Sequence, residues 1–374
     1  MNRREFVKTA AIASAVTSLP SSILTAAEAA APQGASLEAK VVRLNLRHTW
    51  TTHMSSSAYR DTLHLKLTRD GITGIGEGAP IVRYDEDAVR GKAAVESIRD
   101  LLLSSSPLHY EKVMAEVRRR FHGNYAAQAA IDIALMDWVG KKHGVPLYEH
   151  YGLDRADAPI TTFSIGIDNP ETTRLKVEEA APFPVLKIKV GLDTDEATLA
   201  AVRAVTKKPL RVDANEGWKN KEEAVRKINW LESQGVEFIE QPLPAEMIEE
   251  TRWVRSRVHI PIIADEACVN LAAIPKLAEA YDGINVKLDK CGGMQQAYAM
   301  IKTAKSLGMK TMLGCMISSS VSVTAAAHLS PLVDYADLDG NLLIGNDPWV
   351  GVKVVNGKLV LPEGPGLGLT PAQV

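Results

Sequence analysis

After residue 159 the sequence repeats one pattern eight times: a short apolar run, then a longer stretch with helical spacing. The candidate strands are 161–165, 185–190, 210–213, 238–240, 262–265, 283–288, 310–313 and 335–338. Segments such as 196–205, 221–233 and 293–307 lie between them and fit helices. Alternating strand and helix implies a parallel sheet, and eight such units imply a closed one. The expected fold class is therefore α/β, a (β/α)7–8 barrel of the TIM type. An open doubly wound sheet is the alternative. It is disfavoured because no glycine-rich phosphate loop opens a helix after any of these strands.

The chain before residue 159 reads differently. Residues 41–46 and 62–67 alternate as strands do, Arg69-Asp70-Gly71-Ile72 supplies a turn, and 73–77 continues the sheet. Helical stretches follow at 87–103, 109–121 and 125–143. Strands and helices in blocks predict an N-terminal α+β capping domain over 39–155, ahead of a barrel over 156–346. Residues 347–374 are rich in Gly and Pro and are expected to pack back on the capping domain and complete it; 31–38 read as a linker.

Residues 1–30 have the layout of an export signal. Arg3-Arg4-Glu5-Phe6-Val7-Lys8 precedes an uncharged run, and Ala27-Glu28-Ala29 fits a small-x-small cleavage site. The paired arginines resemble a twin-arginine signal, so export to the periplasm by that route is expected. The run falls short of the ~20 apolar residues that span a bilayer, so no membrane association is expected after export. A formal net charge of -2 supplies no long-range field for nucleic acid or acidic lipid, and small-molecule substrates stay the default partner. Cys268, Cys291 and Cys315 are an odd set late in the chain and read as small buried hydrophobes. No interface can be read in the sequence; a homo-oligomer stays open.

In a barrel, chemistry gathers at the C-terminal ends of the strands. There the sequence places Lys187 and Lys189, Asp213, Glu240, Asp265, Lys287, and Asp337 with Asp339. Lys187 and Lys189 are two apart and share a strand face, opposite Leu186, Ile188 and Val190. The apolar face turns to the helices, so the lysines turn into the barrel, where their charge must be matched. Asp213, Glu240 and Asp265 are 27 and 25 residues apart, about one βα unit, and consecutive strand ends bring them together. Three converging carboxylates repel unless a cation sits among them. All-oxygen ligation favours Mg²⁺, with Mn²⁺ as the other candidate.

These residues stand in Leu-Lys-Ile-Lys-Val-Gly (186–191), Val-Asp-Ala-Asn (212–215), Ile-Glu-Gln-Pro (239–242), Ala-Asp-Glu (264–266), Asn-Val-Lys-Leu-Asp-Lys-Cys-Gly-Gly (285–293) and Asp-Leu-Asp-Gly (337–340). In that order the chain, from about 39 to 370, resembles the enolase superfamily, muconate-lactonising subgroup, and most closely its dipeptide epimerases. The resemblance implies a Mg-dependent two-base proton transfer through an enediolate, at the α-carbon of the C-terminal residue of an Ala-Glu-like or related dipeptide. Asp213, Glu240 and Asp265 would bind the metal. Lys189 and Lys287 would exchange the proton on opposite faces, and Lys187 would help polarise the carboxylate. Asp337 and Asp339 would hold the terminal ammonium, with Ser164 assisting. N-acylamino acid racemase or another proton transfer of the subgroup is the alternative within enzymes, and Asp337-x-Asp339 argues against it. A non-catalytic exported binding protein is the alternative outside them, and the lysine pair argues against that. Two departures stand out. Ser318 occupies a position where many relatives carry Glu. The expected specificity loop, residues 47–60, has Ser55 where Ala-Glu epimerases hold an arginine, leaving Arg47, His48, His53 and Arg60 as nearby candidates.

Overall fold

The structure, a computed structural model, describes residues 34–121 and 123–373, and the expected export signal lies outside the described residues. The first unit is an antiparallel sheet of β1 (Ser36–Thr51), β2 (Ser56–Arg69) and β3 (Ile72–Gly78). β2 and β3 pair down to Arg69 opposite Ile72, so Asp70 and Gly71 form a two-residue turn, both with positive φ (52° and 74°). Such a turn matches the twist of the strands it joins. β1 does not keep one face inward: Leu37 and Ala39 are buried, Val41 is exposed, and burial resumes on the other face at Leu44.

Four helices follow: α1 (Ala88–Ser97), α2 (Arg99–Ser104), α3 (Tyr110–Arg120) and α4 (Tyr125–His143). The single helix expected over 87–103 is broken at Ile98, whose dihedrals leave the helical region (φ -117°, ψ 18°). Ile98 buries its side chain with Val95 and Leu102 against Leu63, Leu65 and Leu67, so packing sets the break. α4 is buried on all sides from Ala126 to Gly140. It meets β3 through glycine and alanine. A Cβ at Gly74, Gly76 or Gly78 would stand 2.0 Å from the carbonyl oxygen of Ala134, Ala130 or Ala126, respectively. Two residues of strand rise about 6.6 Å and four of helix about 6.0 Å, so Gly-x-Gly-x-Gly runs in step with alanines every fourth residue.

The second unit is the barrel. Eight strands, β4 (Phe163–Ile165), β5 (Leu186–Lys189), β6 (Leu210–Asp213), β7 (Val236–Glu240), β8 (Ile262–Ala264), β9 (Gly283–Val286), β10 (Lys310–Gly314) and β11 (Tyr335–Asp337), form one sheet in sequence order, all parallel. Thr161, just before β4, bridges Ala336 of β11 and brings the two edges together. Phe238, Ile263 and Met312, with Tyr335, fill the interior as a small apolar plug.

Carboxylates tie the capping unit to the barrel. Asp132 on α4 accepts the Met294 and Gln295 N–H groups (2.5 and 3.3 Å), and Glu77 on β3 accepts those of Ser319 and Ser322 (2.9 and 3.1 Å). Each sits at the N-terminus of a barrel helix, Met294–Ser306 or Ser320–Leu329, where unsatisfied donors and the helix dipole favour negative charge. The C-terminal segment touches both units: Leu367 N–H donates to Asp137 on α4 (2.8 Å) and Val352 N–H to Thr324 (2.9 Å).

Candidate active site

The parallel register sets Lys189 beside Asp213, and Asp213 beside Glu240, at one level of the barrel. The three carboxylates and three lysines expected at the strand ends meet there. Carboxylate oxygens of Asp213, Glu240 and Asp265 lie within 4.8 Å of one another, and all three residues are buried. Lys187 Nζ lies 3.1 Å from Asp213 Oδ2, 2.7 Å from Glu240 Oε2 and 2.7 Å from Asp337 Oδ2. Lys189 Nζ donates to Asp213 (2.5 Å) and Lys287 Nζ to Asp265 (2.8 Å). Lys189 ends the second barrel strand and Lys287 directly follows the sixth, on opposed walls. Gly314 makes room for one of them: a Cβ there would meet Asn285 at 2.7 Å and the Lys287 side chain at 3.1 Å.

The charges fit a divalent cation. Glu240 is pushed up to about 7 by burial, then by Asp213, while Asp265 is held well below the usual range by Lys287 and Lys290 against its burial. Glu240 Oε2 pairs with Lys187 by charge but has no aligned hydrogen-bond partner among the described residues. Burial works against the charge on Lys187, but Asp337, Glu240 and Asp213 hold it protonated all the same. An all-carboxylate donor set with an orphaned oxygen suits a hard divalent ion.

The far wall belongs to β4 and β11. Ser164 N–H donates to Asp339 Oδ2 (2.6 Å), Ser164 Oγ to Asp337 (3.3 Å) and Thr162 Oγ1 to Asp337 (2.5 Å). Burial, then the neighbouring Asp337, pushes Asp339 up to about 7. A cavity of about 510 Å³ opens above these groups, and the capping unit lines one side of it. The expected loop 47–60 is the far end of the β1–β2 hairpin, with Thr51 paired to Ser56. Ser55 and Arg60 line the cavity. Arg47 donates instead to the Leu342 carbonyl (3.1 Å), His48 pairs with Glu179 (2.8 Å) and His53 packs by Gly191. Ser318 is buried and bonded to the Met316 carbonyl; Met316 and Ile317 face the cavity in its stead. Cys268 and Cys291 are buried as expected, but Cys315 is only half-buried and lines the cavity, because strand β10 ends just before it.

Several groups here went unread in the sequence. Lys290 grips the Asp265 carbonyl (2.5 Å) and its carboxylate; its spacing of three from Lys287 was a usable signal. Asn285 donates to Glu240 (2.7 Å) and Asn215 to Glu266 (3.1 Å); both stand inside the quoted motifs. Tyr84, from the turn after β3, also lines the cavity, and burial, then Asp265, raises its hydroxyl well above the ordinary range. No local pattern marked it.

A parallel barrel with three carboxylates on successive strand ends, flanked by opposed lysines and roofed by an α+β cap, defines a class of carboxylate-handling enzymes. The chain belongs to the mandelate racemase/muconate lactonizing enzyme family of the enolase superfamily: its N-terminal domain description matches residues 37–152, and the enolase C-terminal domain-like description matches 172–373. It is 39% identical to an L-Ala-D/L-Glu epimerase of Bacteroides thetaiotaomicron, over 98% of this chain and 99% of that one. It is 41% identical to an L-Ala-D/L-amino acid epimerase of Pedosphaera parvula, over 86% and 94%. Among solved structures, the dipeptide epimerase of Enterococcus faecalis, complexed with Mg and L-Leu-L-Tyr, superposes with a TM-score of 0.84 at 31% identity, covering 89% of this chain and 98% of that one.

Proposed function

We propose that this chain is a Mg-dependent dipeptide epimerase, an isomerase that inverts the α-carbon of a dipeptide's C-terminal residue. The observation that carries the reading is the pair Lys189 and Lys287 on opposed barrel walls above three buried carboxylates. Asp213, Glu240 and Asp265 would hold the ion. A divalent cation held there would offset the carboxylates that keep Lys187 and Lys287 protonated, and would supply Lewis-acid stabilisation of negative charge on the substrate carboxylate.

The chain's own groups do the rest. One lysine takes the α-proton on its face, and the other returns a proton from the opposite face. Lys187, fixed by three carboxylates, contributes a cation beside the substrate carboxylate. Asp337 and Asp339, anchored by Thr162 and Ser164, present acceptors to the substrate ammonium. The names of the three relatives given above, each an epimerase acting on dipeptides, support the substrate class. Periplasmic action after twin-arginine export belongs to the same proposal and rests on Arg3-Arg4 and the uncharged run that follows.

The test is stereochemical. Lys189→Ala and Lys287→Ala should each lower epimerisation by at least about 10²-fold. Each variant should still wash solvent deuterium into one epimer of the substrate and not the other, with the two variants choosing opposite epimers. Wild-type epimerisation in either variant removes the two-base assignment.

A further inference from the structure

We propose that Arg60 selects an acidic side chain on the residue that is epimerised. The inference rests on the epimerase reading above and deepens it by naming that side chain. Six cationic residues line the cavity: Lys187, Lys189, Lys287, Lys290, Arg60 and Arg83. Five of them have a carboxylate oxygen within 2.8 Å. The lysines meet the strand-end carboxylates, and Arg83 forks onto both oxygens of Glu216 (2.6 Å each). Arg60 alone has no carboxylate partner among the described residues. Its one hydrogen bond runs from Nη1 to the carbonyl of its neighbour Tyr59 (3.1 Å).

The strand aims this arginine inward. On β2, Arg60 shares a face with Thr62, two residues on, and stands opposite Leu44 of β1. Leu44 and Thr62 are fully buried, and Thr62 lines the cavity as Arg60 does. Asp61 is next in sequence but points to the other face, where the largely exposed Arg43 takes both its oxygens (2.9 Å each). It therefore leaves Arg60 uncompensated. Arg60 is half-buried, and that burial works against its charge with no carboxylate to offset it. Nε and Nη2 carry no hydrogen bond among the described residues, and neither is enclosed by protein. A guanidinium withdrawn from water without an anion is costly, so a ligand that brings one gains there.

The shape of the substrate says which part of it arrives at Arg60. When the α-proton leaves, the α-carbon is planar between Lys189 and Lys287, and its three remaining substituents spread evenly in that plane. The carboxylate lies toward Lys187 and the metal-binding carboxylates. The amide nitrogen runs toward Asp337 and Asp339, where the ammonium is held. The third direction belongs to the side chain, and the β1–β2 hairpin of the capping unit lines it with Ser55, Arg60 and Thr62. Ser55 brings a hydroxyl and no charge to this wall; the charge is on Arg60. Its planar fork matches the two oxygens of a carboxylate, which a neutral or basic side chain does not offer.

The experiment compares L-Ala-L-Glu with L-Ala-L-Gln, alike in shape and different in charge, as substrates of the Mg²⁺-loaded protein. In the wild type, kcat/KM should favour the glutamate dipeptide about 10–100-fold, as expected for hydrogen bonds between charged groups. Arg60→Met should remove most of that preference, its loss on L-Ala-L-Glu exceeding its loss on L-Ala-L-Gln by the same factor. Arg60→Lys should restore part of it, because the charge returns without the fork. A wild type that turns over both dipeptides equally overturns the selection. Equal losses on both in Arg60→Met overturn it as well, since a merely structural arginine would act that way. A wild type inert toward every dipeptide sinks the epimerase reading itself, whereas one active on neutral dipeptides and indifferent to charge sinks only the role of Arg60.

Discussion

Replacing Gly76 by alanine should be damaging out of proportion to one methyl group. The added Cβ would stand 2.0 Å from the Ala130 carbonyl oxygen and 2.9 Å from the Ala134 nitrogen, whereas such contacts stay above 3.0 Å. Gly76 does not have a left-handed φ, so space and not backbone freedom demands glycine there. To clear the methyl, α4 would have to retreat by at least 1 Å, and it has nowhere to go. Its other side carries Asp132, which is bonded to the first N–H groups of the helix Met294–Ser306. Overpacking costs about 1–3 kcal/mol, and two rigid backbone partners put Gly76→Ala near about 3 kcal/mol. With about 340 described residues, the unfolding entropy is about 0.7 kcal/mol per degree, so Tm should fall by about 4 °C. Thermal unfolding followed by circular dichroism reads this directly. Gly345→Ala is the control, since its nearest neighbour lies at 3.9 Å and its φ is ordinary. A Gly76→Ala Tm within about 1 °C of wild type would refute the tight strand–helix contact.

Asp339→Asn should lower kcat/KM for dipeptides about 10–100-fold, the worth of a hydrogen bond to a charged group, with a smaller loss for N-acylated analogues that lack the ammonium. Equal losses on both would detach Asp339 from the ammonium. His328 carries a pH dependence. Its Nδ1 accepts the Tyr148 N–H and its Nε2 donates to the Leu367 carbonyl, so only the neutral ring fits, and burial lowers it from 6.5 to about 4. The unfolded histidine binds its proton first, so this stability is fully present above pH 6.5 and is lost as pH falls toward 4, by about 3 kcal/mol in all. His328→Gln should flatten the dependence of Tm on pH between 4 and 6.5, and an unchanged slope would discard the assignment.

The catalytic ring was legible because two short-range rules suffice for it. Period-two spacing put Lys187 and Lys189 on one face, and the repeat length of one βα unit brought Asp213, Glu240 and Asp265 to one level. What escaped depends on contacts between distant segments. Tyr84 reaches the cavity only because β3 docks on α4, and Arg83 finds Glu216 across 133 residues. The break at Ile98 is a packing decision that no helix propensity encodes. Nothing local marks Glu77 in its strand or Asp132 in its helix; their role as caps exists only where another unit's helix begins at them. The 47–60 segment read as a loop because its polar residues hide a hairpin pairing that runs on to Thr51 and Ser56.

The central claim is reversible removal of an α-proton from a dipeptide at the carboxylate-and-lysine site. Incubating the protein with a dipeptide library in D₂O and Mg²⁺, then reading deuterium at the α-carbon by mass spectrometry, tests it most directly. The account predicts exchange in dipeptides, abolished by EDTA and restored by Mg²⁺. Absence of exchange in every dipeptide, with metal shown to be bound, would contradict it and turn attention to acylated amino acids.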